Sequence, residues 1–431
     1  MTDGPQPDPD EWRDPDEGHD FDLSGFDLSK VFENLDMSQV FHALASPGPV
    51  NWQIASQLAN QIATDGGSEV PIADADRAQL EELAHAAQTH VVAETGLAAT
   101  FAAPVRAMPR QEWAALHITA LRPVLETLAQ SLGQVFSPDA MRGLLEEVDL
   151  AEAGIAGMDR GATEQFAAMA PMLAPVLLGV QAGSMIGYLA RHALGRYDLP
   201  LPTSDEPTLV FVVPNLDEFE SEWSLERADL RFYVAIHEVV HAAMRSLPWV
   251  RERLVGLASE YVSAYELDAV DLEDRLRDSP FAELDPDDPA SLQALASHPD
   301  ELLRALRTDR QEELLGQARV FHAVLEGYAD SVLERVGRHL ITSFDRIHEA
   351  MARHRIERGE AERFVEGLLG LAVDRDDYER GAAFVRGVVE RAGPEALNRL
   401  WERPEMQPTP NELVAPGLWL ARIDLPHHPS M

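Results

Sequence analysis

Two histidines four positions apart, His237 and His241, enclose a glutamate that directly follows the first. On an α-helix positions i and i+4 share a face, so both imidazoles can reach one metal ion. Glu238 lies about 100° around that helix, beside the same face, where a carboxylate can take a proton from a metal-bound water. Zinc suits such a set. Two neutral imidazoles and a carboxylate leave one coordination position open, and bound water is driven towards hydroxide near neutral pH. The flanking residues, Val234 to Ile236 and Val239 to Ala243, are small or apolar, which predicts a buried helix. Buried imidazoles and a buried carboxylate need partners, and an ion with its water supplies them. One zinc ion per chain is the expectation.

A third ligand must come from further along the chain, and two glutamates compete for the place. Glu260 follows His241 at a spacing similar to that of the aminopeptidase branch of the gluzincins. Glu326 stands in Leu325-Glu326-Gly327-Tyr328-Ala329-Asp330, which resembles the second gluzincin helix, where a ligand glutamate is followed four residues later by an aspartate. That resemblance favours Glu326. It also implies that Asp330 holds the distal nitrogen of a ligand histidine and so fixes its tautomer. No acid stands four residues after Glu260. His322, one turn before Glu326, is a further candidate ligand. Tyr328, His322, Tyr261 and Tyr378 are candidates to stabilise the oxyanion of an attacked carbonyl.

The elements that position these residues are mostly helical. Asn51 and Trp52 end a Pro-Gly-Pro turn and lead into a helix with Ile54, Leu58 and Ile62 at helical spacing. Further amphipathic helices are expected over 74–93 and 109–134, with another starting at Ser137-Pro138-Asp139. Thr208 to Val213 gives the clearest strand signal, closed by Pro214-Asn215. A short helix over 217–223 should precede the metal helix, which starts between Glu226 and Asp229 and ends by Pro248. Leu314 to Gly337 should carry Glu326, followed by helices over 339–358, 360–372 and 378–392. From Phe166 to Ala190 no residue is charged, and Gly179, Gly183 and Gly187 form a ladder that lets a neighbouring helix approach closely. That run is long enough to cross a bilayer. Its prolines, Gln181, Ser184 and many small residues favour a central helix of a folded domain instead.

Composition sets the outer bounds. The chain has 431 residues, of which 45% are hydrophobic, enough for a large core, and it contains no cysteine. Disulfides and thiolate zinc sites are thereby excluded, leaving histidine and carboxylates as ligands. The formal charge of −39 repels nucleic acid and anionic lipid, so no nucleic-acid or membrane partner is expected. Lys30 is the only lysine, a bias that reflects a GC-rich genome. Residues 1–25 read as a disordered acidic tail without the features of a signal peptide, which places the chain in the cytoplasm. Residues 266–312 read as an acidic insert between the two metal-binding helices.

These motifs together, with the Pro49 to Trp52 turn, the Gly183 to Pro202 segment and the proline-rich end, resemble the actinobacterial zincin-like metallopeptidase family. That family was formerly a domain of unknown function, with some members labelled coenzyme-F420-biosynthesis-associated or hydrolases. The resemblance covers about residues 40–425 and departs from better-studied gluzincins in the long separation of His241 and Glu326. It implies a mainly α (α+β) fold: a helical bundle over 26–160, then a zincin-like metallopeptidase domain over 161–431 with a small strand element. In zincins the strand edge flanks the cleft and pairs with extended substrate, a part that Thr208 to Val213 could play. The activity implied is zinc-dependent hydrolysis of peptide bonds in a peptide or protein substrate, with His237, His241 and Glu326 as ligands and Glu238 as general base. The alternative, of another class, is an inactive zinc-stabilised scaffold that acts by binding.

Overall fold

Asn51 accepts the Ile54 N–H on its side chain at 3.0 Å and so satisfies one of the free donors that open a helix. From there α1 (Trp52–Ala63), α2 (Asp74–Thr95), β1 (Val105–Met108), α3 (Arg110–Leu132) and α4 (Arg160–His192) follow in order. The computed structural model describes residues 48–97, 103–132, 160–203, 207–265, 304, 307–356 and 360–424. The acidic tail 1–25, the helix expected at Ser137 and nearly all of the insert 266–312 lie outside the described residues.

The uncharged run belongs to α4, and its glycine ladder packs against α1. A Cβ built on Gly179 would lie 2.5 Å from the Asn51 carbonyl oxygen. On Gly183 it would lie 2.6 Å from that of Ala55, and on Gly187 2.8 Å from that of Ala59. The four-residue period on one helix thus matches the four-residue period on the other, and the two backbones meet with no room for a methyl group. The segment Leu173–His192 is long and apolar enough to cross a membrane, but its close-packing face is filled by the protein's own α1. Gly183→Ala is expected to lose about 1–3 kcal/mol of stability by overpacking. Gly256→Ala, whose Cβ meets nothing within 4 Å in a helix interior, should gain about 0.5–1 kcal/mol. Denaturant midpoints of the two variants check both signs, and a Gly183→Ala protein as stable as the parent would remove the close-approach argument.

The strand expected at 208–213 is β2 (Leu209–Val212), and it pairs in parallel with β1, Val105 opposite Leu209 and Met108 opposite Val212. β1 was not legible in the sequence: four residues, Val-Arg-Ala-Met, carry no alternating pattern long enough to read. Pro214 does not close the strand with a turn. It occupies the first turn of α5 (Val213–Glu222), where a proline loses nothing because that N–H has no helical partner. The other edge of β2 is not open to substrate. Phe211 bridges Gly195, Val212 donates to the Leu194 carbonyl at 3.0 Å, and all four strand residues are buried. The expectation of a substrate-pairing edge is corrected by this covering of the strand.

α6 (Arg227–Arg245) carries both histidines, with boundaries as expected. Its start is anchored by Arg231, buried and paired with Glu220 at 3.0 Å, Asp76 at 3.0 Å and Asp217 at 2.7 Å. After α7 (Pro248–Ser263), α8 (Asp309–Leu340) opens with a reciprocal capping box between Thr308 and Gln311. It packs against α6 and against α11, the latter reached through α9 (Phe344–Ile356) and α10 (Glu360–Leu369) and spanning Arg375–Ala392. Two 3₁₀ turns (Pro394–Trp401 and Pro404–Met406) and two short helices, α12 (Pro410–Val414) and α13 (Pro416–Asp424), complete the described chain. The fold is mainly α with a two-stranded parallel sheet. One cluster of buried apolar residues runs from Val50 to Ile423. Among the described residues, the helices before residue 160 therefore share a core with α6 and α8.

Candidate metal centre

Fifteen of the nineteen residues of α6 are buried, including every residue from Tyr233 to Arg245. The tilt and spacing of a helix then place His237 and His241 one turn apart, with ring centroids 4.4 Å from each other. α8 crosses beside them and delivers Glu326, so that ligand-type atoms of His237, His241 and Glu326 lie within 4.8 Å of one another. Glu326 Oε1 stands 3.7 Å from His241 Nε2. Burial lowers the pKa of His237 to about 4 and that of His241 well below the ordinary imidazole value, with Arg245 and Arg355 adding to both. Both rings are neutral at pH 7, as metal ligands must be.

Glu260 is elsewhere. It lies on α7, its side chain 52% exposed, in an ion pair with Arg310 at 3.0 Å. The choice between the two glutamates thus falls to Glu326, because only that residue is buried beside the histidines. Gly327, next to it, lies at a close approach of α8 and α11: a Cβ there would lie 2.6 Å from the Gly381 carbonyl carbon. His322 is also buried on α8, near enough to His241 to lower its pKa.

Zinc fits the donor set. Two neutral imidazoles and one carboxylate match a three-ligand site with an open position. His241 Nε2, fully buried, makes no hydrogen bond, and an unsatisfied buried nitrogen is costly unless something occupies it. One contact is unusual for a ligand histidine. His241 Nδ1 lies 3.0 Å from Arg245 Nη1, and a guanidinium can only donate, so Nδ1 accepts in this arrangement and the neutral ring carries its proton on Nε2. An ion held at Nε2 would require the proton to move to Nδ1 and the Arg245 contact to give way. Arg245 is itself fully buried, lying over the Tyr197 ring at 4.6 Å, while Tyr197 stacks on His241 with centroids 6.1 Å apart.

Asp330 does not orient a ligand histidine. It shares the Glu326 face of α8, as its spacing requires, but its carboxylate accepts from Arg355 Nη2 at 2.9 Å. Arg355 Nη1 in turn lies 3.5 Å from Glu326 Oε2. Asp330 therefore steadies Glu326 through Arg355, a residue on α9 that no local motif in the sequence announced. The acid nearest His237 in its electrostatics is Asp198, which accepts from the Leu194 N–H and pairs with His354 Nε2, each at 3.1 Å. Burial opposes its ionisation, and the His354 imidazole with the Leu194 N–H more than offsets this, holding its pKa well below the carboxylate range.

Glu238 has a second employment that its motif does not reveal. Oε1 accepts the Tyr197 N–H at 2.9 Å and Oε2 accepts the Val210 N–H at 3.2 Å. It thereby joins α6 to β2 and to the segment after α4, and it is fully buried. Burial raises its pKa to about 7 against the pull of the Tyr197, Arg196 and Val210 N–H groups. Gly195 is required by this arrangement, because a Cβ there would overlap the Glu238 carboxylate. Gly195→Ala is expected to push that carboxylate off its backbone donors and destabilise the protein by about 1–3 kcal/mol. An unchanged melting temperature would show that the carboxylate moves freely.

Of the oxyanion candidates, Tyr328 donates to Asn398 Oδ1 at 2.9 Å and Tyr261 to the Gly367 carbonyl at 3.3 Å, so both hydroxyls are committed elsewhere. The aromatic ring that does touch the cluster is Tyr197. It follows α4 in a stretch without regular structure, and nothing in Arg196-Tyr197-Asp198 shows that the chain folds back onto α6. Arg245, four residues after His241 and hence on its face, carried the only local signal among the missed residues.

A family model described as zincin-like metallopeptidase matches residues 50–420. Among solved structures, the chain is similar to a Chloroflexus aurantiacus protein of novel fold, provisionally described as a hydrolase. The TM-score is 0.56 at 23% identity, over 88% of this chain and 100% of that one. That likeness concerns the fold. A comparison with curated proteins finds no match.

Proposed function

The chain belongs to the zincin-like metallopeptidase family, and we propose that it is a zinc-dependent peptidase whose ion is held by His237, His241 and Glu326. The observation that carries this reading is the buried cluster itself, in which α6 and α8 bring three ligand-type atoms together and leave His241 Nε2 without a hydrogen bond. When bound, zinc supplies an activated water and polarises the carbonyl to be cleaved. The chain's own residues supply the rest. Burial keeps both imidazoles neutral and water-poor, and Arg355, held by Asp330, keeps Glu326 in place. Glu238 is the proposed proton acceptor and later donor to the leaving amine. Its oxygens accept backbone N–H groups, Tyr197 on Oε1 and Val210 on Oε2, and an ionised carboxylate has further lone pairs with which to take a proton.

A second reading, a zinc-stabilised scaffold, draws on the same contacts. Glu238 has a structural reason to be present, and the strand edge that zincins offer to substrate is covered here. The two readings separate in one experiment. Protein reconstituted with zinc and incubated with a diverse peptide library should produce cleavage that a chelator abolishes and added zinc restores. Stoichiometric zinc with no cleavage across the library would favour the scaffold.

A further inference from the structure

Beside the metal cluster lies a cavity of about 670 Å³, a size ordinary for a ligand site. Six arginines line it, Arg304, Arg307, Arg319, Arg355, Arg363 and Arg375, in a chain with 74 acidic and only 35 basic residues. The carboxylates in the same lining are Glu312, Glu366 and Asp374, so guanidinium groups outnumber them two to one. Arg355 belongs to both places: it lines the cavity and also stands 3.5 Å from Glu326 Oε2. It is nine-tenths buried, so the cavity's inner end is built into the core beside the metal cluster.

Several of these arginines already have acidic neighbours. Arg307 pairs with Glu312 at 3.2 Å, Arg375 donates its Nε–H to Glu379 at 2.9 Å, and Arg319 donates its Nε–H to the Ala372 carbonyl at 3.4 Å beside Asp377. Such pairs do not exhaust a guanidinium, which carries five N–H donors in a planar fork suited to bidentate carboxylate recognition. Arg375 is bound through Nε, so its terminal nitrogens are available to a ligand, while Arg319 Nη2 stands 4.0 Å from Asp374 and a ligand carboxylate would compete with that loose pair. Over distances beyond about 8 Å, salt screens the distant acidic surface, and the local arginines decide what the cavity holds.

We infer that this cavity receives an acidic stretch of the peptide substrate, its side-chain carboxylates held by the arginine forks next to the metal cluster. The peptide nature of the occupant rests on the peptidase reading; the anionic chemistry rests on the cavity alone. The strongly negative charge of the whole chain makes the inference easy to test, since non-specific binding of a polyanion is suppressed.

The test uses full-length protein and fluorescein-labelled hexaglutamate and hexaglutamine peptides, read by anisotropy with zinc bound and again after chelation. Hexaglutamate should bind at least tenfold more tightly than hexaglutamine, and its affinity should fall with rising salt. Arg319→Gln with Arg375→Gln should weaken it by at least tenfold, and the corresponding double lysine variant should recover part of the loss. Arg338→Gln, an exposed arginine outside the cavity, should leave it unchanged. Equal binding of the two peptides, or full affinity in the double glutamine variant, would overturn the inference. So would complete displacement by inorganic phosphate at the peptide's own concentration, which would assign the cavity to phosphate. Binding that persists without zinc in a protein that cleaves nothing would uphold the cavity and sink the peptidase reading, so the two failures are distinguishable.

Discussion

Purified protein should carry about one zinc per chain, and His237→Ala, His241→Ala or Glu326→Ala should lower zinc affinity by well over ~100-fold, the upper range for changes to residues that only orient ligands. Each substitution removes one of three donors that the fold buries together. The free energy of the lost bond cannot be recovered from solvent, because all three residues are shielded from it. Glu260→Ala serves as the control. Its carboxylate is half exposed in an ion pair with Arg310, and such pairs contribute about 0–1 kcal/mol and nothing to a distant ion. Asp330→Asn should fall between the two, at about 10–100-fold, because it loosens Arg355 rather than a ligand. Competition with a zinc-responsive dye measures all of these. Parent protein that takes up no transition metal would remove the zinc reading altogether. Equal zinc loss in Glu260→Ala would show that the effect travels through stability rather than coordination.

The legible part of this centre is the part that obeys a short helical period. His237 and His241 fall on one face by their spacing alone, because four residues on a helix decide it. Glu326 with Asp330 showed the same period on a second helix. What the period does not show is what the second helix packs against: the motif points Asp330 at a histidine, whereas its partner is Arg355 on α9. The glycine ladder of α4 is an instructive intermediate. Its spacing announced close packing correctly but did not say with what, and α1 answers that only in three dimensions. Residues 195–198 form no regular element and have no period. Their importance comes from a long-range return of the chain to Glu238 and His241, for which sequence offers no local trace. β1 was missed for a related reason, since a four-residue strand is specified by its partner rather than by its own pattern.

That same return of the chain changes what Glu238→Gln should do. Read from the motif alone, the amide is a near-isosteric replacement that abolishes the base and leaves the fold untouched. In the structure both carboxylate oxygens accept backbone N–H groups, from Tyr197 and Val210. An amide can accept only one of them; its NH₂ must then face the other N–H, donor against donor, at a fully buried position. The expected cost is about 1–3 kcal/mol of stability, visible as a lowered denaturant midpoint. Loss of a general base separately costs ~10²–10⁴-fold in turnover, or about 3–5 kcal/mol of barrier. The two effects are told apart by measuring below the unfolding transition, with zinc content as a third reading. A variant that keeps its zinc, loses stability and loses turnover by at least a hundredfold supports both employments of Glu238. Stability lost with turnover intact would make this carboxylate a structural tie between α6 and β2, and the base would have to be sought elsewhere. Turnover lost with stability unchanged would mean that the backbone contacts contribute little, leaving the catalytic role as the reason for its place in the motif.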